Sequence, residues 1–240
     1  MDATTSPSPD ARIARFSRAE RWVHRSITVL MIVLIATAAA LYFPDISVLV
    51  GNRPIVSNIH VIAGFVLPIP LILALASRAF RQDAELLNRF TAQDWRWLRS
   101  RDRRSGRIPV GKFNAGQKLN AAFSVGSIII MLATGSIMFF NAWFPDDIRT
   151  GATFVHDWLT LAIVVVVVGH TYKALMDAEA RTGMRTGHVS ARWAARDHGQ
   201  WAEEQRLSGI PGEGHSAFGL DEGPFSGIQD YLTTPLFLRK

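Results

Sequence analysis

The sequence predicts an all-α integral membrane protein built as a bundle of four transmembrane helices, and its charge pattern predicts cytoplasmic termini. The 240 residues are 48% hydrophobic and 19% charged, but the apolar residues concentrate in four stretches that carry almost no charge. Each stretch is long enough to cross a hydrocarbon core of about 30 Å as a helix. The Lys and Arg residues lie almost entirely in the segments that such a bundle places on one side. Together these observations exclude a soluble domain.

The four spans are expected at about residues 23–43, 56–77, 119–140 and 151–174. The first contains 18 uncharged residues, Ser26 to Phe43. The second carries Pro68 and Pro70, which are predicted to kink it. The third has no charge between Lys118 and Asp146, and the fourth carries a single acid, Asp157. Lipid offers no hydrogen-bond partners to the backbone, so all four are predicted to be helical despite their Val and Ile content.

Charge asymmetry predicts the orientation of the bundle. Of the 26 Lys and Arg residues, 24 lie in the N-terminal arm, the 78–118 segment and the C-terminal tail. The positive-inside rule therefore places both termini and this middle segment in the cytoplasm. The same asymmetry accounts for the sequence pI of about 10.3, so no nucleic-acid partner is needed to explain it.

The predicted organisation has three parts. Residues 1–11 form a Ser/Pro-rich arm that is expected to be disordered, 12–206 form the membrane domain, and 207–240 form a Gly/Pro-rich tail. Outside the spans, the pattern around Thr91 to Leu98 predicts an amphipathic surface helix with Trp95 and Trp97 as interfacial anchors. Residues 188–207 are interpreted as a further polar helix.

Histidines are the main candidates for a functional site, because ionisable side chains in membrane helices are usually functional. Four of the seven lie in or at the ends of the spans: His24, His60, His156 and His170. The topology predicts His24 and His170 near the inner surface, and His60 and His156 near the outer surface. His156 and His170 are 14 residues apart, so they project from nearly the same helix face about 21 Å apart. The fourth span can therefore serve two sites, one at each level.

Two imidazoles facing each other from separate helices suit the axial positions of a haem iron. Filling both positions leaves no coordination site for a substrate, so the chemistry predicted is electron transfer. The chain has no Cys, which makes such haems non-covalent and b-type. The alternative is that these histidines form interhelical hydrogen bonds; zinc is disfavoured because two-His sites without acids or thiols bind it poorly. Asp157 could orient His156 or be an ordinary interfacial acid.

Several stretches resemble the cytochrome b (gamma) subunit of membrane-bound formate dehydrogenase, within the dihaem family that also serves hydrogenases and thiosulfate reductases. The matching stretches are Arg15 to His24, Leu41 to Pro44, Gly111 to Leu119, His170 to Tyr172, Gly187 to Ser190 and Arg192 to Ala194, with His198 and Trp201 beyond. Among them, the Asn-Ala-Gly-Gln-Lys run that starts at Asn114 is the most specific. The resemblance covers about residues 12 to 206.

The resemblance implies two b haems, the inner one on His24 and His170 and the outer one on His60 and His156. It also implies a quinone site at the inner haem, contacted by Asn114, Gly116 and Gln117. Amide side chains can donate to a quinone carbonyl, and a glycine permits close approach. From the sequence alone, Asn114 is more simply interpreted as the N-cap of the third helix.

The partners implied are a catalytic subunit dependent on molybdenum or tungsten and an iron–sulfur subunit, in the bacterial cytoplasmic membrane. Electrons would pass through this chain to quinone, and no catalytic residue for substrate oxidation is expected in it. Alternatives are a hydrogenase or thiosulfate reductase subunit, a stand-alone haem reductase, and a haem-free anchor that only docks a soluble enzyme. Arg25 stands where the family often has an aromatic residue, and His60 is not followed by a basic one. These departures leave the partner enzyme open.

Overall fold

The computed structural model describes residues 11–101, 103 and 107–208, and it confirms an all-α bundle of four membrane-spanning helices. The spans are α1 (Arg18–Tyr42), α3 (Arg53–Val66) continued by α4 (Ile69–Ala74), α7 (Ala115–Phe139) and α8 (Asp146–Met176). The protein is therefore an integral membrane protein. The predicted N-terminal arm up to residue 10 and the tail from residue 209 lie outside the described residues.

The second span is interrupted at its prolines, as the sequence predicts. α3 ends at Val66, and α4 starts at Ile69 after a turn at Leu67 and Pro68. Neither Pro68 nor Pro70 has a backbone N–H, so the helical hydrogen-bond ladder loses two donors here. The span ends at Ala74, three residues before the predicted boundary, because Ser77 caps the next helix through a hydrogen bond from the amide of Phe80.

The bundle is loosely packed and leaves a large interior space. α1 packs mainly on α3, and α7 mainly on α8. Many large apolar side chains on the spans, such as Ile32, Ile129 and Val165, stay exposed and form the surface that lipid covers. Between the helices lies a cavity of about 2880 Å³, lined by side chains from all four spans. This cavity is several times larger than an ordinary ligand pocket.

Short elements cover one end of the bundle. β1 (Arg12–Ala14) pairs antiparallel with β2 (His188–Ser190), and three helices follow α8: α9 (Ala178–Thr186), α10 (Ala191–Asp197) and α11 (Gly199–Ser208). Val189, Trp193, Ala194 and Trp201 form their buried core. We call β1, β2 and α10 with Trp201 the surface cap.

The prediction of one polar helix over 188–207 is wrong. The segment starts as β2, and the following helix breaks at His198, whose backbone leaves helical geometry at φ −140° and ψ 50°. The break turns the His198 side chain inward, where it is 1% exposed. Hydrophobic periodicity could not reveal this, because the deciding partners lie in distant parts of the chain.

Other surface helices lie between the spans. These are α2 (Pro44–Val50), α5 (Arg78–Asn88) and α6 (Ala92–Arg99). The predicted amphipathic helix around Thr91 to Leu98 is confirmed as α6. Thr91 caps it, because its hydroxyl accepts from the Asp94 amide while the Asp94 carboxylate accepts from the Thr91 amide.

Candidate functional site

The four predicted histidines meet in two pairs inside the bundle. His24 on α1 and His170 on α8 have ring centroids 6.2 Å apart. His60 on α3 and His156, also on α8, have ring centroids 6.4 Å apart. All four line the same cavity. The long helix α8 thus contributes one imidazole to each pair. The second imidazole comes from α1 in the first pair and from α3 in the second.

The separation of the rings fits one iron atom between each pair. A metal–imidazole bond is about 2 Å long and each bonding nitrogen lies about 1.1 Å from its ring centroid, so coaxial ligation separates the centroids by about 6.2 Å. The observed 6.2 and 6.4 Å match this separation. No group of three or more His, Cys, Asp or Glu that could hold a metal occurs within the described residues. The ring separation in each pair therefore leaves room for one metal ion bound by two imidazoles.

In the His60–His156 pair, the hydrogen bonds involve Nδ1 of each ring and leave Nε2 available for a metal. The Nδ1 atom of His60 lies 2.8 Å from the Thr37 hydroxyl, and that of His156 lies 2.9 Å from the Thr134 hydroxyl. Asp157, the candidate orienting group, is exposed at the surface. The Nδ1 atom of His156 is paired with Thr134 instead, which favours the other interpretation of Asp157, an ordinary interfacial acid.

The Asn114–Gln117 segment forms the cap of α7. The Asn114 side-chain oxygen accepts from the Gln117 amide, and the Gln117 side-chain oxygen accepts from the Asn114 amide, both at 3.0 Å. The capping interpretation of Asn114 is confirmed. The cap uses only the oxygens, and in the described part of the chain neither side-chain NH₂ group donates to a protein acceptor. Both side chains line the cavity that His170 also lines.

Gly116 lies between those two amides at a close contact. A Cβ at this position would meet Asn114 Oδ1 at 3.3 Å and the Trp97 ring at 3.5 Å. A side chain that extends beyond a methyl group would therefore press against the Asn114 amide and the indole of α6. Glycine at position 116 therefore leaves a narrow open space between the capping amides and the Trp97 ring.

A buried charged cluster lies beside this segment. Lys112 donates to both carboxylate oxygens of Asp83, at 2.6 and 2.5 Å, and lies 4.0 Å from Glu20. Burial, followed by a hydrogen bond with Glu20, raises the pKa of Asp83 to about 7, although Lys112 opposes the shift. The cluster joins α1, α5 and the segment before α7, and it lets Asp83 gain or lose a proton near neutral pH.

A second buried pair attaches α6 to α7. Lys118 donates to Asp94 at 2.8 Å and to the Arg89 carbonyl at 2.9 Å. Hydrogen bonds from Lys118 and Thr91 lower the pKa of Asp94 despite its burial. The Lys118 and Asp94 side chains are only 11% and 9% exposed. The pair thus links α6, which carries Trp97, to α7, which carries Gly116.

His198 and Arg15 are the residues that sequence reasoning missed. Arg15 donates to the Lys112 carbonyl at 2.8 Å and pairs with His198 Nε2 at 3.1 Å, while His198 Nδ1 lies 2.7 Å from the Gly111 carbonyl. The Arg15 guanidinium also stacks over the Trp193 ring at 4.6 Å. The two residues thereby tie the surface cap to the segment that leads into Asn114.

Their charges follow from this geometry. Arg15 is a donor to His198 Nε2, so His198 is neutral and donates from Nδ1 to Gly111. Burial, followed by the Arg15 charge, lowers the pKa of His198 to about 4. His198 thus has a structural role and no ligand role, in keeping with its place outside the spans. The only sequence signal was its position beyond the Arg192-Trp193-Ala194 run.

Comparisons with known proteins point to one group. The profile of the family described as prokaryotic cytochrome b561 matches residues 15–187. The cytochrome b556 (Fdn) subunit of nitrate-inducible formate dehydrogenase from Escherichia coli K12 is 32% identical over 98 residues, covering 40% of this chain and 45% of that protein. The formate dehydrogenase cytochrome b556 subunit of Haemophilus influenzae is 25% identical over 212 residues, covering 84% of this chain and 87% of that protein. The match to the E. coli subunit thus spans a little under half of its length.

Proposed function

Because the chain belongs to the prokaryotic cytochrome b561 family, a family of membrane cytochromes with b-type haem, we propose that it is the cytochrome b subunit of a formate dehydrogenase-like respiratory complex. In this proposal it carries two b haems and passes electrons to quinone. The relatives named as formate dehydrogenase subunits support the choice of complex. Substrate oxidation is assigned to a catalytic subunit and an iron–sulfur subunit.

The ring separations of the two histidine pairs carry the proposal. His24 and His170 would hold the inner haem, and His60 and His156 the outer haem. Haem supplies reversible one-electron transfer at its iron when it is bound. The four imidazoles would leave no ligand position at either iron for water or oxygen. Both haems would take one ligand from helix α8, which fixes the distance between the two sites along the helix axis.

In this proposal the quinone binds beside the inner pair, His24 and His170. Asn114 and Gln117 have side-chain NH₂ groups that are not used in the α7 cap, and these would donate to a quinone carbonyl oxygen. Gly116 would leave room for the ring between those amides and Trp97. Asp83, with a pKa of about 7, lines the same cavity and would keep a proton available on this side.

The membrane topology and the membrane potential determine the direction of electron flow that we propose. The 24 basic residues on one side favour cytoplasmic termini and a site in the bacterial inner membrane, with the partner subunits on the outer face. Moving an electron inward against the membrane potential costs about 2.3 kcal/mol per 100 mV. A strong reductant is therefore required outside, and formate meets this requirement.

Spectroscopy of membranes that contain the complex tests this function. Formate should reduce the b-type absorption band, and added quinone should reoxidise it. His170→Ala should abolish quinone reduction and remove the inner haem, whereas His188→Ala, at an exposed histidine of β2, should change neither. A complex that assembles normally and oxidises formate but has no b-type absorption band would identify the chain as a haem-free anchor.

A further inference from the structure

Two threonines contact the imidazoles of the outer pair from neighbouring helices. Thr37 on α1 lies 2.8 Å from His60 Nδ1 on α3, and Thr134 on α7 lies 2.9 Å from His156 Nδ1 on α8. Each threonine hydroxyl also donates its proton to the backbone carbonyl four residues earlier in its own helix. The same device therefore occurs twice at one site, on independent pairs of helices.

The direction of these hydrogen bonds follows from counting protons. A hydroxyl has one proton, and Thr37 donates it to the Val33 carbonyl at 2.7 Å, while Thr134 donates to the Ile130 carbonyl at 2.8 Å. Each hydroxyl oxygen then accepts the proton on Nδ1 of its histidine, and the His60 ring also hydrogen-bonds to the Leu34 backbone. Both imidazoles are thus held as the Nδ1–H tautomer, with the lone pair of Nε2 free to bind iron.

The inner pair lacks this arrangement. Thr28, one turn after His24, donates to the backbone carbonyl of His24 at 2.7 Å and not to its ring. Within the described residues, no side chain or carbonyl accepts from the imidazole of His24 or His170. The two sites therefore differ in the hydrogen bonding of their ligands, although their ring separations are nearly equal.

We propose that Thr37 and Thr134 are positioning residues that fix the tautomer of His60 and His156 and lower the reduction potential of the outer haem below that of the inner haem. This inference rests on the proposed function. An imidazole that donates from Nδ1 is a stronger electron donor to the metal and stabilises the ferric state. Two such bonds at the outer site and none at the inner site make electron transfer from outer to inner haem downhill.

Redox titration of the purified complex tests the proposal. A His60→Leu complex, which should keep only the inner haem, identifies the two potentials. In Thr37→Val, Thr134→Val and the double variant, the potential of the outer haem should shift to more positive values, with the largest shift in the double variant. The inner potential should stay constant, so the gap between the two narrows.

Two sets of controls separate the hydroxyl from packing. Thr37→Ser and Thr134→Ser keep the hydroxyl and should retain the wild-type potentials. Among the described residues, the hydroxyls of Thr28 and Thr160 bond only to the backbone carbonyls of His24 and His156. Thr28→Val and Thr160→Val should therefore shift neither potential. If the valine variants lose the outer haem, its retention at wild-type potential in the serine variants still supports the proposal.

Three results would overturn this inference. Unchanged potentials in the double valine variant, an equal shift of both haems, or loss of the outer haem in the serine variants would each remove the assigned role. All three leave two haems in the wild-type complex, so the proposed function survives them. A wild-type complex with no outer haem would instead refute the proposed function itself.

Discussion

Protonation of His198 should weaken the surface cap, and the structure sets the size of the effect. The side chain is 1% exposed and uses both ring nitrogens, with Arg15 as the donor to one of them. Burial and the Arg15 charge lower its pKa from an ordinary value of 6.5 to about 4. A difference of this size corresponds to about 3 kcal/mol between the two protonation states.

The sign follows from which state binds the proton. Below pH 6.5 the unfolded segment takes up a proton, whereas the folded cap does so only near pH 4. The stability that neutral His198 provides is therefore complete above about pH 6.5, is lost as the pH falls, and reaches its minimum near pH 4. The cap should open without loss of the membrane helices, because its core residues belong to β2, α10 and α11 and not to the four spans.

Hydrogen exchange of backbone amides in 188–201 measures this directly. Protection of the wild-type segment should fall between pH 6.5 and 4, after correction for the intrinsic exchange rate. His198→Asn keeps a donor for Gly111 and cannot be protonated, so its protection should be lower but independent of pH. His188→Asn, at the exposed histidine of β2, should retain the wild-type pH dependence. Constant protection of the wild-type protein across this range would refute the reasoning.

Three further perturbations have outcomes set by the structure. Gly116→Leu places side-chain atoms against Trp97 and Asn114. Steady-state kinetics should therefore give a KM for quinone at least about tenfold higher, with an unchanged haem spectrum. An unchanged KM would mean that the quinone binds elsewhere. Lys118→Met leaves Asp94 buried without its partner. Thermal unfolding in detergent should then give a free energy of unfolding that is lower by about 3–5 kcal/mol. A decrease below about 1 kcal/mol would contradict the stabilising role of this pair. Asp83 has a pKa raised to about 7, so the contribution of this carboxyl group to the free energy of unfolding should fall as the pH rises from about 4 to 7, opposite in sign to the contribution of His198. That fall should be absent in Asp83→Asn and unchanged in Glu85→Gln, at an exposed acid of α5.

The membrane spans and the common helix face of His156 and His170 could be predicted because each depends on local sequence. A long uncharged stretch has only one stable form in lipid, and the spacing of His156 and His170 fixes their common helix face. The break at Pro68 follows from the missing backbone donor. These features need no knowledge of which helices are neighbours.

The surface cap and the threonine contacts could not be predicted because they depend on tertiary neighbours. His198 meets Gly111 across 87 positions and Arg15 across 183, and no local pattern indicates such partners. Thr37 and Thr134 look like ordinary helix residues until α1 is placed beside α3 and α7 beside α8. The amides of Asn114 and Gln117 have a capping role that the sequence indicates, and only the structure reveals that their NH₂ groups are unused.

The haem content of the purified protein tests the central claim most directly. A pyridine haemochrome assay against protein concentration should give two b haems per chain, falling to one in His24→Ala and to one in His60→Ala. A preparation that folds and assembles with its partners but contains no haem, or whose haem content is unchanged by both substitutions, would contradict the assignment of these histidines.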